Sequence, residues 1–388
     1  MAVQIILSNG GLGKVQTVQD RVTGLLFTGT ATANLALYTP KMINSLAQAE
    51  GLGLTAIAGT ENAEAWSQIK DFYSFPQNEG REFYIMMYPK TAKMSEVLDK
   101  DTANSAKKLL DYSQGRVNVL AVSLFVSGGT SPAITAGLDA DIPTALIKAQ
   151  ALAETYAGGQ KPLRIILDGR FYGSDPAVVV NLTSAAYNRV AINLACVTVA
   201  ARNAAQGLLL GRIAAVAVNQ HIGHVGWGAL PSSAMYLTNG TTIESQFADL
   251  ATLASKGYIV PTAYPGKLGY FFLNDSTATA TSDDYSSLQA GRTIDKVHRI
   301  AYATFVNHVN ETIVIDNGLL DAAKLSFFER ECESAVTINC QGEISAVKCQ
   351  INPAQNILQT GNLEVVLKIV PTATMKEIIV KIGFATTI

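Results

Sequence analysis

Residues 117–167 read VNVLAVSLFVSGGTSPAITAGLDADIPTALIKAQALAETYAGGQKPLRIIL. The run 117–126 is apolar and β-branched, and it is short enough to be a strand buried on both faces. A loop of Gly, Ser and Pro follows over 127–141. Residues 142–156 then form a helix with proline at its start, a favoured place, and 163–167 is a second buried strand. A third lies at 190–200. Strands separated by helices in this way predict an α/β core with a mainly parallel sheet.

Working outward, 21–88 continues the alternation. Helices are expected at 43–51, which ends on Gly51, and at 66–73, with a strand at 81–88 before Pro89. Residues 91–114 are the most charged stretch and read as solvent-facing helix. On the other side, 203–218 reads as a helix of small residues leading into a Gly-rich loop, NQHIGHVGWGALP (219–231). Thr241 and Glu244 have capping-box spacing. The helix they open carries Ile243, Phe247, Leu250 and Ala254 on one face and stops at Gly257. Short strands follow at 258–260 and 268–273, and 276–282 (STATATS) reads as an exposed loop.

The last hundred residues change character. A long helix over 292–309 puts Ile294, Val297, Ala301 and Phe305 in register, and a second helix covers 318–336. Three strands then follow, 343–351, 362–369 and 376–384. Leu363, Val365, Leu367 and Ile369 share one face of the second. Ile378, Val380, Ile382 and Phe384 share one face of the third. At the other end Val3, Ile5 and Leu7 form a short strand pattern, and Gly10, Gly11 and Gly13 make a loose joint. That strand has no hairpin partner nearby, so it must pair with something distant, another chain included. These shifts divide the sequence into an N-terminal arm (1–20), an α/β domain (21–285), an α+β domain (286–370) and a C-terminal arm (371–388).

The chain has 388 residues, 48% of them hydrophobic, so it is not a disordered polymer. A net charge of −2 gives no basic footprint for nucleic acid or an acidic membrane. Charged residues make up 15%, against about 25% in an ordinary soluble domain. With a mean hydropathy of +0.20, the chain either spans a membrane or buries much of its outside against other subunits. The best spanning candidates, 190–201 and 208–218, are separated by Arg202, Asn203 and Gln206, and Arg212 interrupts the second. The first residues carry neither a basic segment nor a long apolar one, so no signal peptide is expected. Subunit contacts remain.

Catalytic signatures are sparse. GGLGK (10–14) lacks the spacing and the Ser or Thr of a phosphate loop. His221 and His224 alone cannot complete a tetrahedral metal site, and His298 and His308 do not form HExxH. There is no GxSxG elbow. Asp168 follows a buried strand, where α/β enzymes place ligands, but Asp168-Gly169-Arg170 also reads as a plain strand exit with an internal ion pair. Asp283 and Asp284 suit the start of the following helix. The four cysteines, Cys196, Cys332, Cys340 and Cys349, form no CxxC and read as reduced thiols. No cofactor or metal is expected. An α/β enzyme with a site near Asp168, Arg170 and His221 is the alternative from another functional class.

The run SLQAGRTIDKVHRIAYATFVNHVNETI (287–313), the second helix, and GEISAVKCQINPAQNILQTGNLEVVLKIVPTATMKEIIVKIGF (342–384) resemble the C-terminal region of contractile tail sheath proteins. GLLLGRIAAVAV and the HIGHVGWGAL loop look like that family's middle region. The N-terminal 27 residues look like the start of a short, divergent branch. The resemblance implies a mixed-sheet sheath core, α/β (α+β) in class, with β-prone arms at both ends. It implies subunits stacked as hexameric rings around an inner tube, with partners in the tube, the baseplate and the tail terminator. Arms would reach into neighbours through Val3, Ile5 and Leu7 at one end and Ile378, Val380, Ile382 and Phe384 at the other, hinging at Gly10, Gly11, Gly13 and Pro371. It also implies a role in contraction, without nucleic acid or membrane insertion, in a protein made in a bacterial cytoplasm and carried on a tail or injection particle. A different tail component is the nearer alternative.

Overall fold

The computed structural model describes residues 20–57, 61–125, 132–199 and 202–384. Seven strands form its central sheet: β1 (Thr23–Thr28), β2 (Lys41–Ile43), β3 (Phe83–Tyr88), β4 (Val119–Ser123), β5 (Arg164–Asp168), β6 (Val190–Asn193) and β7 (Tyr258–Ile259). They lie in the order β7-β6-β5-β4-β1-β3-β2. The edge strand β2 runs antiparallel to β3, and the other pairings are parallel. Every residue of β1, β3, β4, β5 and β6 is buried, as expected of strands covered on both faces.

Helices α1 (Leu46–Gly51), α2 (Glu61–Tyr73), α3 (Ile142–Gly158), α4 (Gln206–Ala215) and α5 (Phe247–Ser255) accompany the sheet. The α2–α4 contact depends on small residues. A Cβ on Gly207 would lie 1.8 Å from the Gln68 carbonyl oxygen, and one on Gly211 would lie 2.6 Å from the Phe75 ring. This explains the small-residue composition of 203–218.

The C-terminal part contains α6 (Leu288–Phe305), α7 (Ala322–Asn339) and an antiparallel pair, β8 (Ile344–Gln350) and β9 (Val366–Pro371). Val297, Ile300, Cys332, Val336, Cys340 and Cys349 form its small core. All four cysteines are free and buried.

Several local expectations are corrected. Residue 43 ends a strand, and α1 starts after the Ser45 cap, whose Oγ accepts the Gln48 N–H. Residues 91–114 form only two short helical pieces, Met94–Val97 and Lys107–Tyr112, which bury Met94, Val97, Leu109 and Leu110. Lysines flanking apolar pairs made that stretch look solvated. The Thr241/Glu244 capping box does not form: a 3-10 turn (Ile243–Gln246) intervenes, and Glu244 accepts the Tyr270 hydroxyl instead. Phe247, assigned to the buried face, is exposed. Thr277, Ala278 and Thr279 of the STATATS stretch are buried, two of them bridging to 186–187. Asp283 and Asp284 do not start α6. Its cap is Ser287, and Asp275 accepts the Gln289 N–H.

Candidate assembly interface

In open α/β sheets, ligands bind beyond the carboxyl ends of the strands where the winding reverses. Here that point lies at β1 and β4, and the chain's own side chains occupy it among the described residues. Thr28 Oγ1 donates to Phe125 O, and Gln206 Nε2 donates to Val122 O. The Gly207 N–H at the start of α4 donates to Gln68 Oε1 at 2.6 Å.

Asp168 belongs to this internal lock. Its oxygens accept from the Ala204 N–H and from Asn203 Nδ2, both at 2.7 Å. Burial pushes its carboxyl up to about 7, against these hydrogen bonds and the nearby Arg170 charge. The expected Asp168–Arg170 ion pair is not the one formed: Arg170 Nε pairs with Asp139 at 2.5 Å. His221 lies in a different network, 3.2 Å from Asp275, and that network ties the Gly-rich loop to the first turn of α6. The three residues of the enzyme alternative therefore serve two separate structural clamps. Among the described residues, no group of three or more His, Cys, Asp or Glu side chains could hold a metal ion, and no helix is long and apolar enough to cross a membrane.

The joint between the sheet and the C-terminal part is ionic. Arg164, the first residue of β5, makes a two-point contact with Asp295 of α6 (2.7 and 3.1 Å) and donates to Gly291 O. Gly291 leaves the notch this requires, since a Cβ there would lie 2.5 Å from the guanidinium carbon. Arg189 adds a third contact to Asp295 at 3.0 Å. Burial alone would raise the Asp295 carboxyl, but these two cations hold it below its ordinary value. Next to it, Lys296 bridges Asp20 and Glu343, each at 2.7 Å. The root of the N-terminal arm, α6 and the entry to β8 thus share one ammonium.

Sequence reading missed this joint. It singled out Ile294, Val297, Ala301 and Phe305, yet Arg292, Asp295 and Lys296 are buried while Ile294 is only half-buried. The available signal was the spacing of Arg292, Asp295, Lys296 and Arg299, which places four charges on one helix face.

The C-terminal arm leaves from this region. Thr372 Oγ1 accepts from Asn219 Nδ2, which also donates to Gly342 O. Thr374 and Gln289 exchange two hydrogen bonds of 2.7 and 3.0 Å. From Met375 to Phe384 the chain forms no strand, and every residue is exposed. Ile378, Val380, Ile382 and Phe384 are 73%, 71%, 92% and 112% exposed. The expected third strand has no partner among the described residues, and a strand needs one to satisfy its backbone. Pro371, expected as a hinge, sits in the β8–β9 ladder opposite Ile344. Beside the arm, the two-stranded sheet turns Val366 and Val370 to the outside. Val3, Ile5, Leu7, Gly10, Gly11 and Gly13 lie outside the described residues.

The sequence matches the N-terminal domain of DUF2586 over residues 1–276 and the C-terminal domain of DUF2586 over 284–388. The chain belongs to the DUF2586 family. No curated protein matches it. This DUF2586 chain is similar along its whole length to a chain of the anti-feeding prophage baseplate, at 14% identity and a TM-score of 0.62, covering 100% of both chains. It is similar to the contracted helical sheath of the same system (15%, TM-score 0.59, 99% of both). The contracted sheath complex of an extracellular contractile injection system, PVC, matches at 12% and a TM-score of 0.60, covering 100% of this chain and 99% of the other. The fold is that of contractile sheath proteins, an α/β core with helices around a mixed sheet.

Proposed function

We propose that the protein is the structural, non-enzymatic subunit of a contractile tail sheath. The observation that carries this reading is the bare apolar arm from Met375 to Phe384 beside a sheet that has two strands among the described residues, on a fold shared end to end with sheath chains. An arm that adds to a neighbour's open sheet edge gains backbone hydrogen bonds and seats alternate side chains. Ile378, Val380, Ile382 and Phe384 provide that alternation. Val3, Ile5 and Leu7 would act in the same way at the other end. A contact repeated head to tail builds a helical polymer rather than a closed dimer.

In this reading 21–285 is the outer domain, 286–370 faces an inner tube, and 1–20 and 371–388 are the linking arms. The hinges are Gly10, Gly11 and Gly13 at one end. At the other, the flexing point follows Pro371 and begins after the Thr374–Gln289 contact, because the preceding residues are tied down. Subunits stack as rings on a tube, contact the baseplate and terminator, and turn as nearly rigid bodies into a compact lattice. A gain of ~2 kcal/mol per subunit, comparable to burying one large apolar side chain, adds up over many copies without a nucleotide. The particle forms in the producing bacterium's cytoplasm and is carried on a tail or injection device.

Removing 375–388 tests the reading. The truncated subunit should stay soluble and fail to form sleeves under electron microscopy, as should a chain lacking 1–13. Normal tubes from either truncation would defeat the arm model.

A further inference from the structure

In an antiparallel pair, alternate residues of each strand point their N–H and C=O groups across to the partner, and the rest point away. On β8 the outward donors are occupied. Cys349 stands opposite Leu367, yet its N–H donates to Glu333 Oε1 at 2.9 Å. Two residues on, and so on the same side, the Ile351 N–H donates to Glu329 Oε1 at 2.8 Å. Both acceptors belong to α7.

The helix explains their position. Glu329 and Glu333 are four residues apart and share one face, next to Cys332 and Val336, which pack into the small core against the sheet. The two glutamates are half-buried at the rim of that stripe and reach the outer edge of β8. Lys348 Nζ, 3.0 Å from Glu333 Oε1, steadies one of them. The hydrogen bond from Cys349, with Lys348 next, holds the Glu333 carboxyl below its ordinary value. The other edge of the pair differs. Directly opposite residues share an orientation, so Leu367 and Ile369 turn their N–H groups outward on β9, where no further strand lies among the described residues.

An open sheet edge recruits strands, and proteins close such edges with charged side chains. A carboxylate is also a stronger acceptor than the neutral carbonyl of an incoming strand. We propose that Glu329 and Glu333 guard β8 in the free subunit, leaving β9 as the open edge, and that a partner strand reaches β8 only by displacing them. The strand is 375–384 of a second copy, so the inference rests on the assembly reading above and adds a control to it. That segment carries Lys376 and Lys381 against one acid, Glu377, a charge balance that suits two released glutamates.

The test compares the full-length wild type with Glu329→Ala/Glu333→Ala and with Glu329→Gln/Glu333→Gln, whose amide oxygens can still accept. In free subunits the 349 and 351 amides should be protected from hydrogen exchange in the wild type and the Gln form. In the Ala form they should exchange ~10-fold faster or more. Under electron microscopy the Ala form should build tubes at a several-fold lower protein concentration than the other two. Should the double Ala variant fail to fold, Glu333→Ala makes the same comparison at the 349 amide. Equal exchange in the Ala form and the wild type, or an unchanged or raised threshold for tubes, overturns the guard. If none of the three forms builds tubes, the sheath reading fails, and the exchange rates alone decide whether the carboxylates close the edge.

Discussion

Strand β5 buries all five of its residues, whereas β9 exposes four of its six. Both are rich in Ile, Leu and Val, so composition does not separate them. They differ in what covers them. β5 has a strand on each side and helices on both faces, so burial of its apolar surface is completed within one chain. β9 has β8 as its one strand neighbour among the described residues, and its inward side chains Leu367 and Ile369 are half-buried against the small core of α6 and α7. Among the described residues, most of the exposed large apolar side chains lie beyond residue 286, in about the last quarter of the chain. The first region is finished as a monomer. The second leaves apolar surface uncovered among the described residues.

Substitutions in the finished region should be the most damaging. Gly207→Ala places a methyl group against the Gln68 carbonyl, where only backbone can yield. It should cost about 4 kcal/mol or more, read as lost soluble yield or a collapsed urea midpoint. A normal midpoint would mean that α2 and α4 separate freely, and the sharp contrast between the regions would weaken.

The joint between the regions comes next. Arg164→Met leaves Asp295 buried with Arg189 as its remaining ion-pair partner, and removing one partner of such a pair costs about 3–5 kcal/mol. Two unfolding transitions in place of one would show that the ionic joint makes the regions melt together.

A matched pair compares them directly. Ile166→Ala in the fully buried centre of β5 should cost about 2–5 kcal/mol. Leu367→Ala in half-buried β9 should cost the monomer under about half as much. If the second region is completed by neighbours, the Leu367→Ala penalty grows on assembly and the Ile166→Ala penalty does not. Denaturation of sleeves against monomers would decide this.

The smallest effect involves Asp71. Burial pushes its carboxyl up to about 7, and one of its oxygens has no partner among the described residues. The folded state therefore prefers the protonated acid. That preference stabilises fully below the unfolded value near 3.8 and is lost as pH rises through about 7. Asp71→Asn cannot ionise, so its melting temperature should exceed that of the wild type by ~2–4 °C at pH 8, with the gap closing toward pH 5. A gap that stays constant with pH would show that Asp71 is ionised throughout.

Sequence patterns reached the right architecture where local and tertiary demands agree. Buried parallel strands are continuous apolar runs, and those at 117–126 and 190–200 contain β4 and β6, while 163–167 covers all of β5 but its last residue, Asp168. Alternation over 362–369 correctly turned Leu363, Val365, Leu367 and Ile369 inward, although the ladder starts only at Val366. The reading failed where polar groups find partners far along the chain. Arg164 and Asp295 are 131 residues apart, and Gly207 and Gln68 are 139 apart. No local pattern records such a pairing.

The sequence by itself determined the parallel α/β core, the helical C-terminal part and the apolar alternation of the last strand-like segment, because hydrophobic periodicity acts over a few residues. Only the tertiary structure decided that Asp168 is an internal clamp, that a charged face of α6 is buried, and that the segment after Thr374 finds no strand partner among the described residues. Those outcomes depend on which distant donors, acceptors and sheet edges come together, and packing in three dimensions sets that.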